Sequence, residues 1–373
     1  MQTTASVKLL PTKAQEVLIK STMKEYIKLV NSIVADYVGV MKNLKYTSKD
    51  VSANLPSALK NQAIRDSSSV FKKYKKDVSI SAKSKKARTK AKSLAEPKEV
   101  KVPILKNEVA IWNNQNFNVE NSLVCFPVMI NGKSKKIKVK AVIASYQDEK
   151  LKHKLGSLRI TVKSGKLIAQ IACETPALDT SGHQTMGVDL GLKIPAVAVC
   201  GNHKVKFFGN GRQNKYIKRM NRARRKKLSK FKQLEAIRNL DNKEQRFMKD
   251  KDHKISRKIV NFAIENNVST IRLESLSGIR QTARISRKNE KNLHTWSFYR
   301  LAAFIEYKAI LAGIKVEFVN PRNTSKKCPA CETLNTAKDR KYTCSCGYSG
   351  HRDIVGAQNI ISAPVIIGKR LSA

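Results

Sequence analysis

Three features of the sequence predict an α+β multidomain protein. The hydrophobic period is two between Val102 and Ala172, strand and helix patterns alternate after residue 185, and four cysteines crowd between 328 and 346. The first implies an N-terminal β-barrel or curled sheet. The second implies a C-terminal α/β domain, and the third a metal-binding insertion within it.

The elements follow in order. Ala5–Leu10 alternates as a short strand that Pro11 closes. Thr12 and Gln15 have the capping-box spacing, and Val17, Met23, Ile27, Val30, Val34 and Tyr37 recur behind them at helical spacing. A second helix is expected from about Ser57 through Lys75, with Leu59, Ala63, Ile64, Val70 and Phe71 inward. Lys60, Gln62, Arg65 and Lys72 are then left for another surface. Lys72–Lys101 is rich in Lys, Ser and Ala and reads as a basic connection, either a solvated linker or a segment that orders on RNA. Leu123–Ile130 and Lys136–Val142 flank Asn131-Gly132, while Leu158–Lys163 and Leu167–Cys173 flank Ser164-Gly165-Lys166; both are hairpin signals. Glu174–Gln184, with Pro176, Ser181 and Gly182, reads as a domain boundary.

Beyond it, Val188–Leu192, Ala196–Cys200 and Val205–Phe208 read as a three-strand meander. Gln213 to about Val260 reads as a basic helical hairpin with Ile217, Met220, Leu228, Phe231, Leu234 and Ile237 as its inner stripe. Strand Ser269–Glu274, helix Trp296–Ala312, strand Ile314–Val319 and a last helix Asp353–Ile361 complete the order. That succession is RNase H-like, and it sets the strand ending at Asp189 beside the strand ending at Glu274.

At 373 residues and 41% hydrophobic content, the chain can bury cores for two domains or more. Its 74 Lys and Arg against 28 Asp and Glu give a formal charge of +46. So much like charge repels itself in a compact state and calls for a polyanion. The charge is spread through the chain rather than gathered on one amphipathic stretch, which favours a long nucleic acid over a membrane surface. The start lacks the pattern of a signal peptide, and no run is long and apolar enough to span a membrane. Clustered cysteines suit a metal site in a reducing compartment, so a cytoplasmic location is expected.

Three acids sit in apolar or small-residue settings: Asp189 in Gly187-Val188-Asp189-Leu190-Gly191, Glu274 in Ile271-Arg272-Leu273-Glu274-Ser275, and Asp353 in His351-Arg352-Asp353-Ile354. Singly, each has an ordinary reading: Asp189 pairs with a lysine, Glu274 pairs with Arg272, and Asp353 N-caps the final helix. Together they fall where the expected fold gathers chain ends. They then argue for a shared Mg²⁺ site, with two ions serving phosphodiester hydrolysis and no histidine needed as general base. Cys328, Cys331, Cys344 and Cys346 form two knuckles suited to one structural Zn²⁺. Cys125, Cys173 and Cys200 lie in strand patterns as buried hydrophobes. The basic runs Arg222–Lys227 and Arg280–Lys291 flank the acids and are expected to meet phosphates, with Arg280–Asn292 as a lid over the pocket. His253 and His351 read as packing or phosphate contacts.

In this order the motifs resemble TnpB, the RNA-guided nuclease family carried by insertion sequences and related to compact type V CRISPR effectors. The resemblance rests on Leu10-Pro11-Thr12-Lys13 with Gln15, Val188-Asp189-Leu190-Gly191, Leu273-Glu274, Trp296, Tyr307-Lys308-Ala309, Thr324-Ser325 before the knuckles, and Arg352-Asp353 with Asn359-Ile360. It implies a wedge-like β-barrel over 1–10 and 102–176, and a helical recognition insert with basic linker over 11–101. It further implies a RuvC-like nuclease domain over 185–322 and 350–373, and a zinc ribbon over 323–349. Asp189, Glu274 and Asp353 would be catalytic; Lys60, Gln62, Arg65, Arg222, Arg224, Arg225 and Arg280 are candidate nucleic-acid contacts. The implied partners are a guide RNA from the transposon end and target double-stranded DNA, met near the nucleoid with no protein partner required. Base pairing would select the sequence while the protein reads a short flanking motif. Two departures stand out: Ile354-Val355-Gly356-Ala357 where the family often has x-Asn-Ala-Ala, and a Cys-x-Cys second knuckle. The alternatives are a CRISPR effector with separately encoded guides, a nuclease-silent RNA-guided repressor, and a zinc-containing RNA-binding protein.

Overall fold

A computed structural model describes residues 1–90, 100–176, 178, 182–240, 242–277, 279, 296–337 and 339–368. It separates into two units, Gln2–Thr175 and Pro176–Ala373, the latter with Met1.

In the first unit, β1 (Gln2–Leu10) passes through Pro11 into α1 (Lys13–Gly39). The Gln15 N–H donates to Thr12 Oγ1 at 3.2 Å and the Thr12 N–H to Gln15 Oε1 at 3.1 Å, so two otherwise unpaired donors of the helix start are satisfied. Met23, Ile27, Val30, Val34 and Tyr37 are buried as the helical period requires, whereas Val17 is 68% exposed in the first turns. Helix α2 runs from Ser57 to Lys90, so the first half of the basic connection is helical; Lys, Arg and Ala are strong helix formers. Strands β2 (Val109–Trp112) and β3 (Asn118–Glu120) precede β4 (Leu123–Ile130) and β5 (Lys133–Val142); α3 (Ser145–Leu151) leads to β6 (Leu155–Lys163) and β7 (Lys166–Glu174). The β4–β5 turn has φ of 49° at Asn131 and 72° at Gly132, and the β6–β7 turn 48° at Ser164 and 72° at Gly165. Positive pairs of this kind match the twist of the flanking strands. The sheet order is β2-β6-β7-β1-β5-β4-β3, an open curl rather than a closed barrel. Trp112 Nε1 donates to the Pro127 carbonyl at 3.0 Å, drawing β2 toward β4 across the curl.

The second unit begins with the meander β8 (Gln184–Asp189), β9 (Ala196–Cys200) and β10 (Val205–Phe208). The expected helical hairpin is three helices: α4 (Gly211–Lys230), α5 (Leu234–Leu240) and α6 (Lys243–Glu265). Its inner stripe is only partly inward, since Met220, Phe231 and Leu234 are exposed. Strand β11 (Val268–Glu274), α7 (Phe298–Leu311), β12 (Lys315–Val319), the short β13 (Lys341–Thr343) and β14 (Ser349–His351), and α8 (Arg352–Ser362) follow. The main sheet has the order β10-β9-β8-β11-β12; β8 is antiparallel to β9 and parallel to β11, which is parallel to β12. Asp189 and Glu274 therefore end adjacent parallel strands.

Helices α6 and α7 are joined by a buried polar network. Asp252 accepts from Arg300 Nη2 at 2.6 Å and from Ser297 Oγ at 3.0 Å. Lys308 Nζ donates to the His253 carbonyl at 2.6 Å and to Ser256 Oγ at 2.7 Å. His253 stacks on Phe304 at 3.9 Å, and burial with the Lys308 charge pushes it down to about 4, so it is a neutral packing group. Cys125, Cys173 and Cys200 are buried, as their strand positions implied. Among the described residues no helix is long and apolar enough to cross a membrane.

Candidate metal centres and nucleic-acid contacts

Two glycines dock α8 on the sheet. A Cβ on Gly187 of β8 would lie 2.0 Å from the Ala357 carbonyl oxygen, so only glycine admits this approach. A Cβ on Gly356 would lie 3.1 Å from Asp189 Oδ2, so the unusual Gly356 leaves room for that carboxylate. The sequence departure at 354–357 thus has a local reason. Asp353 lies in the first turn of α8; the cap is His351, whose Nδ1 accepts from the Asp353 N–H at 3.2 Å. The capping alternative for Asp353 is overturned. So is the Arg272–Glu274 pairing: Arg272 Nε instead reaches Glu317 Oε2 at 2.9 Å and a second donor binds the Ile361 carbonyl, tying β11 to β12 and α8.

Asp189, Glu274 and Asp353 are brought to one end of the sheet. Burial pushes the Asp189 carboxyl up to about 8, with the Glu274 and Asp353 charges adding to it and Arg352 and Arg340 opposing it. Glu274 is also raised by burial, against the hydroxyl of Thr324, which donates to its Oε1. Thr324 is held in turn: Asn359 Nδ2 donates to the Thr324 and Lys327 carbonyls, both at 2.7 Å. Asp353 accepts from Arg340 Nη1 on both oxygens, at 2.5 and 2.6 Å. Asp189 feels the charges of the other two carboxylates, but the three stand wider than the cysteine cluster, the one group of three or more potential ligands among the described residues whose atoms all lie within 4.8 Å. Arg340 and Thr324 were missed from sequence; Thr324 carried a signal, its place in the Thr324-Ser325 motif.

Cys328, Cys331, Cys344 and Cys346 supply that cluster. Sγ–Sγ separations of 3.7 Å (Cys328–Cys346) and 3.4 Å (Cys331–Cys344) are near the edge of about 3.8 Å expected when four thiolates surround Zn²⁺ at 2.3 Å. The Thr333 hydroxyl lies 2.9 Å from Cys331 Sγ and 3.2 Å from Cys344 Sγ and lowers both thiols, Cys344 to about 5. Against the backbone hydrogen bond at Tyr348, the neighbouring sulfurs push Cys346 up to about 12. Four cysteine sulfurs gathered this closely suit a tetrahedral cation, and the residues fit zinc.

Of the expected nucleic-acid contacts, Arg65, Arg222 and Arg224 are exposed and Arg225 is half-buried. Lys60 and Gln62 are tethered within their unit, Lys60 Nζ to the Val51 carbonyl at 3.0 Å and Gln62 Nε2 to Asp66 Oδ1 at 3.0 Å. Each of the two side chains is half-buried and already has a partner within its unit. Arg280 and the lid expected over Arg280–Asn292 lie outside the described residues.

The fold and these two clusters define a class: an α+β protein with carboxylates gathered at a mixed sheet and a four-cysteine cluster beside them. Comparison with known proteins shows what the chain is similar to. Residues 170–280 match the OrfB_IS605 family, described as a probable transposase, and residues 298–360 match the Cas12f1-like TNB domain. Over 129 residues the chain is 36% identical to the TnpB-like protein MJ0751 of Methanocaldococcus jannaschii, covering 34% of this chain and 46% of that protein. Over 206 residues it is 30% identical to the CRISPR-associated endodeoxyribonuclease Cas12f1 of Sulfoacidibacillus thermotolerans, covering 50% of this chain and 47% of the relative. The chain thus spans about half the length of these curated relatives. Its fold is similar to a Cas12f1–sgRNA–target DNA complex, with TM-score 0.60, 17% identity and coverage of 93% and 82% of the two chains. It is also similar to the mini-RNA-guided endonuclease CRISPR-Cas_phi3, with TM-score 0.53, 12% identity and coverage of 98% and 93%. Two family models thus match separate regions of the chain, and the TnpB resemblance read from its motifs stands.

Proposed function

We propose that this chain is an RNA-guided DNA endonuclease whose RuvC-like site, of RNase H-like order, cuts both strands of a target beside a short flanking motif. The reading is carried by the convergence of Asp189, Glu274 and Asp353 at the ends of β8 and β11 and the start of α8. The named activities of the Cas12f relatives support it, as does the charge of +46.

Asp189, Glu274 and Asp353 offer oxygen ligands suited to Mg²⁺, and two ions spanning them need less mutual closeness than a single four-thiolate site. Mg²⁺, when bound, would supply activation of the attacking water and neutralisation of charge on the departing oxygen. The chain's own groups set the conditions. Burial raises the Asp189 carboxyl to about 8, so a cation held there would have to displace its proton. Thr324 fixes the orientation of Glu274, and Arg340 holds Asp353 until that carboxylate is drawn elsewhere. In the hydrolysis a water oxygen bonds to phosphorus as one P–O ester bond breaks, and the water proton balances the departing oxygen.

The curled sheet with its helices would hold the guide RNA and its hybrid with the target, and the cysteine cluster would hold one structural zinc. Arg65, Arg222, Arg224 and Arg225 remain candidate contacts. A second reading, a CRISPR effector with separately encoded guides, is supported by the CRISPR-associated names of several relatives. Sequencing the RNA that co-purifies with the chain separates the two. The site itself is tested by offering matching DNA to the RNA-loaded protein: Asp189→Ala should bind and not cut, and undiminished cutting contradicts the assignment.

A further inference from the structure

The structure assigns to the outward face of α4 a role as a rail for single-stranded DNA running to the carboxylate end of the sheet. The inference rests on the nuclease reading above. Arg212, Lys215, Arg219, Arg222, Lys226 and Lys230 recur at three- and four-residue intervals, the spacing that usually makes an apolar seam. Here the seam is cationic, within roughly 80° of the helix circumference and over about 27 Å of its length, one charge per 5.4 Å turn or so. All six are exposed, and α4 contains no acid. The inward face is made by Ile217, Asn221 and Leu228, with Lys218 and Arg225 also half-buried there; Lys218 feels the charges of Asp252 and Glu244 on α6.

Two contacts anchor the rail beside the site. A Cβ on Gly211, the first residue of α4, would lie 2.0 Å from the Leu192 carbonyl oxygen, and the Gly211 N–H donates to the Lys193 carbonyl at 2.9 Å. The helix therefore starts against the loop that follows Asp189. Phe207, just before α4, meets the ring of His351 edge-on at 5.3 Å, and His351 caps the helix that bears Asp353.

Aromatic rings favour a single strand over a duplex. Tyr216, 53% exposed with Arg219 at 5.8 Å from its ring centre, lies beside the cations near the start of the helix, and Phe231, 60% exposed, lies just beyond the last of them. Cations tracking a backbone with rings on which unpaired bases stack are the means by which proteins hold single strands without reading sequence.

The test uses the full chain carrying Asp189→Ala, a fluorescein-labelled oligodeoxythymidine, and circular dichroism to check that each variant is folded. Lys215→Gln, Arg219→Gln, Arg222→Gln and Lys226→Gln are combined. A control combines Lys150→Gln, Lys152→Gln, Lys154→Gln and Lys163→Gln, with the same loss of charge. The α4 variant should bind at least tenfold more weakly at about 100 mM salt, and its slope of log K against log salt should fall by about 2.8, four cations at 0.7 each. The control should change less than threefold. Tyr216→Ala alone should weaken single-strand binding about fivefold and leave duplex DNA unaffected. Equal effects of the two charge variants, or no effect of Tyr216→Ala, overturn the rail whether or not Asp189→Ala still cuts. Cutting by Asp189→Ala overturns the assignment of the carboxylate site and leaves these binding results standing.

Discussion

Arg340 Nη1 donates to both carboxylate oxygens of Asp353, at 2.5 and 2.6 Å, although the two residues lie on different elements. Arg340 belongs to the stretch between Cys331 and Cys344, so one stretch of chain serves the thiol cluster and the carboxylates together. Its guanidinium engages the oxygens that a divalent cation would need. In the zinc-loaded chain without added Mg²⁺ or Mn²⁺, Arg340→Gln should lower the thermal midpoint by the equivalent of about 1–3 kcal/mol, because it leaves a largely buried charge without its partner. It should also tighten Mn²⁺ binding by removing a competitor. An unchanged midpoint with weaker Mn²⁺ binding would contradict this.

Asp189 sets a pH dependence of defined sign. Its carboxyl is raised from 3.8 to about 8 in the fold, so the native state holds a proton that the unfolded chain has released across that window. Metal-free stability should therefore fall as pH rises from about 4 to 8, and Asp189→Asn should lose that part of the slope. The ceiling is about 5 kcal/mol at pH 8. Thermal melts in EDTA at pH 5 and pH 8 check it; parallel slopes for wild type and variant would count against it.

Gly187 and Gly356 should respond differently to alanine. Gly187→Ala drives a Cβ to 2.0 Å from a backbone oxygen that cannot yield without moving α8, so it should cost more than about 3 kcal/mol and weaken Mn²⁺ binding. Gly356→Ala meets only the Asp189 carboxylate at 3.1 Å, which can shift by a few tenths of an ångström. Stability within about 1 kcal/mol of wild type is expected. Denaturant melts of the pair decide whether α8 docks as described.

Removal of zinc should loosen the cysteine region and free Asp353 from Arg340. Elemental analysis should find one zinc per chain, and Cys331→Ser with Cys344→Ser should abolish it and lower the midpoint. A variant that melts like wild type while lacking zinc would show that the metal does not organise this region.

Local chemistry was the most legible part of the sequence. Asn131-Gly132, Ser164-Gly165 and the Thr12–Gln15 box each specify their structure through a few adjacent residues, and the order of strands after Gln184 sufficed to pair β8 with β11. Strands β2 and β3, with four and three residues, are too short for a period to show. The inner stripe assigned to residues 217–237 held only in part: the chain breaks into two helices there, leaving Met220, Phe231 and Leu234 exposed while Ile217, Leu228 and Ile237 are half-buried. The three acids stood out because each sits in a short motif, two at the end of a strand and one at the start of a helix. Arg340 did not, because its role comes from a contact between the cysteine stretch and α8, and nothing around it in sequence distinguishes it from 73 other cations.

Whether residues 189, 274 and 353 hold divalent metal is decided by an Mn²⁺ titration of the RNA-free, zinc-loaded chain followed by electron paramagnetic resonance. Wild type should take up Mn²⁺ that the combined Asp189→Asn, Glu274→Gln and Asp353→Asn variant, folded and with its zinc intact, does not. Equal uptake by the two proteins would mean that these carboxylates do not form the metal site.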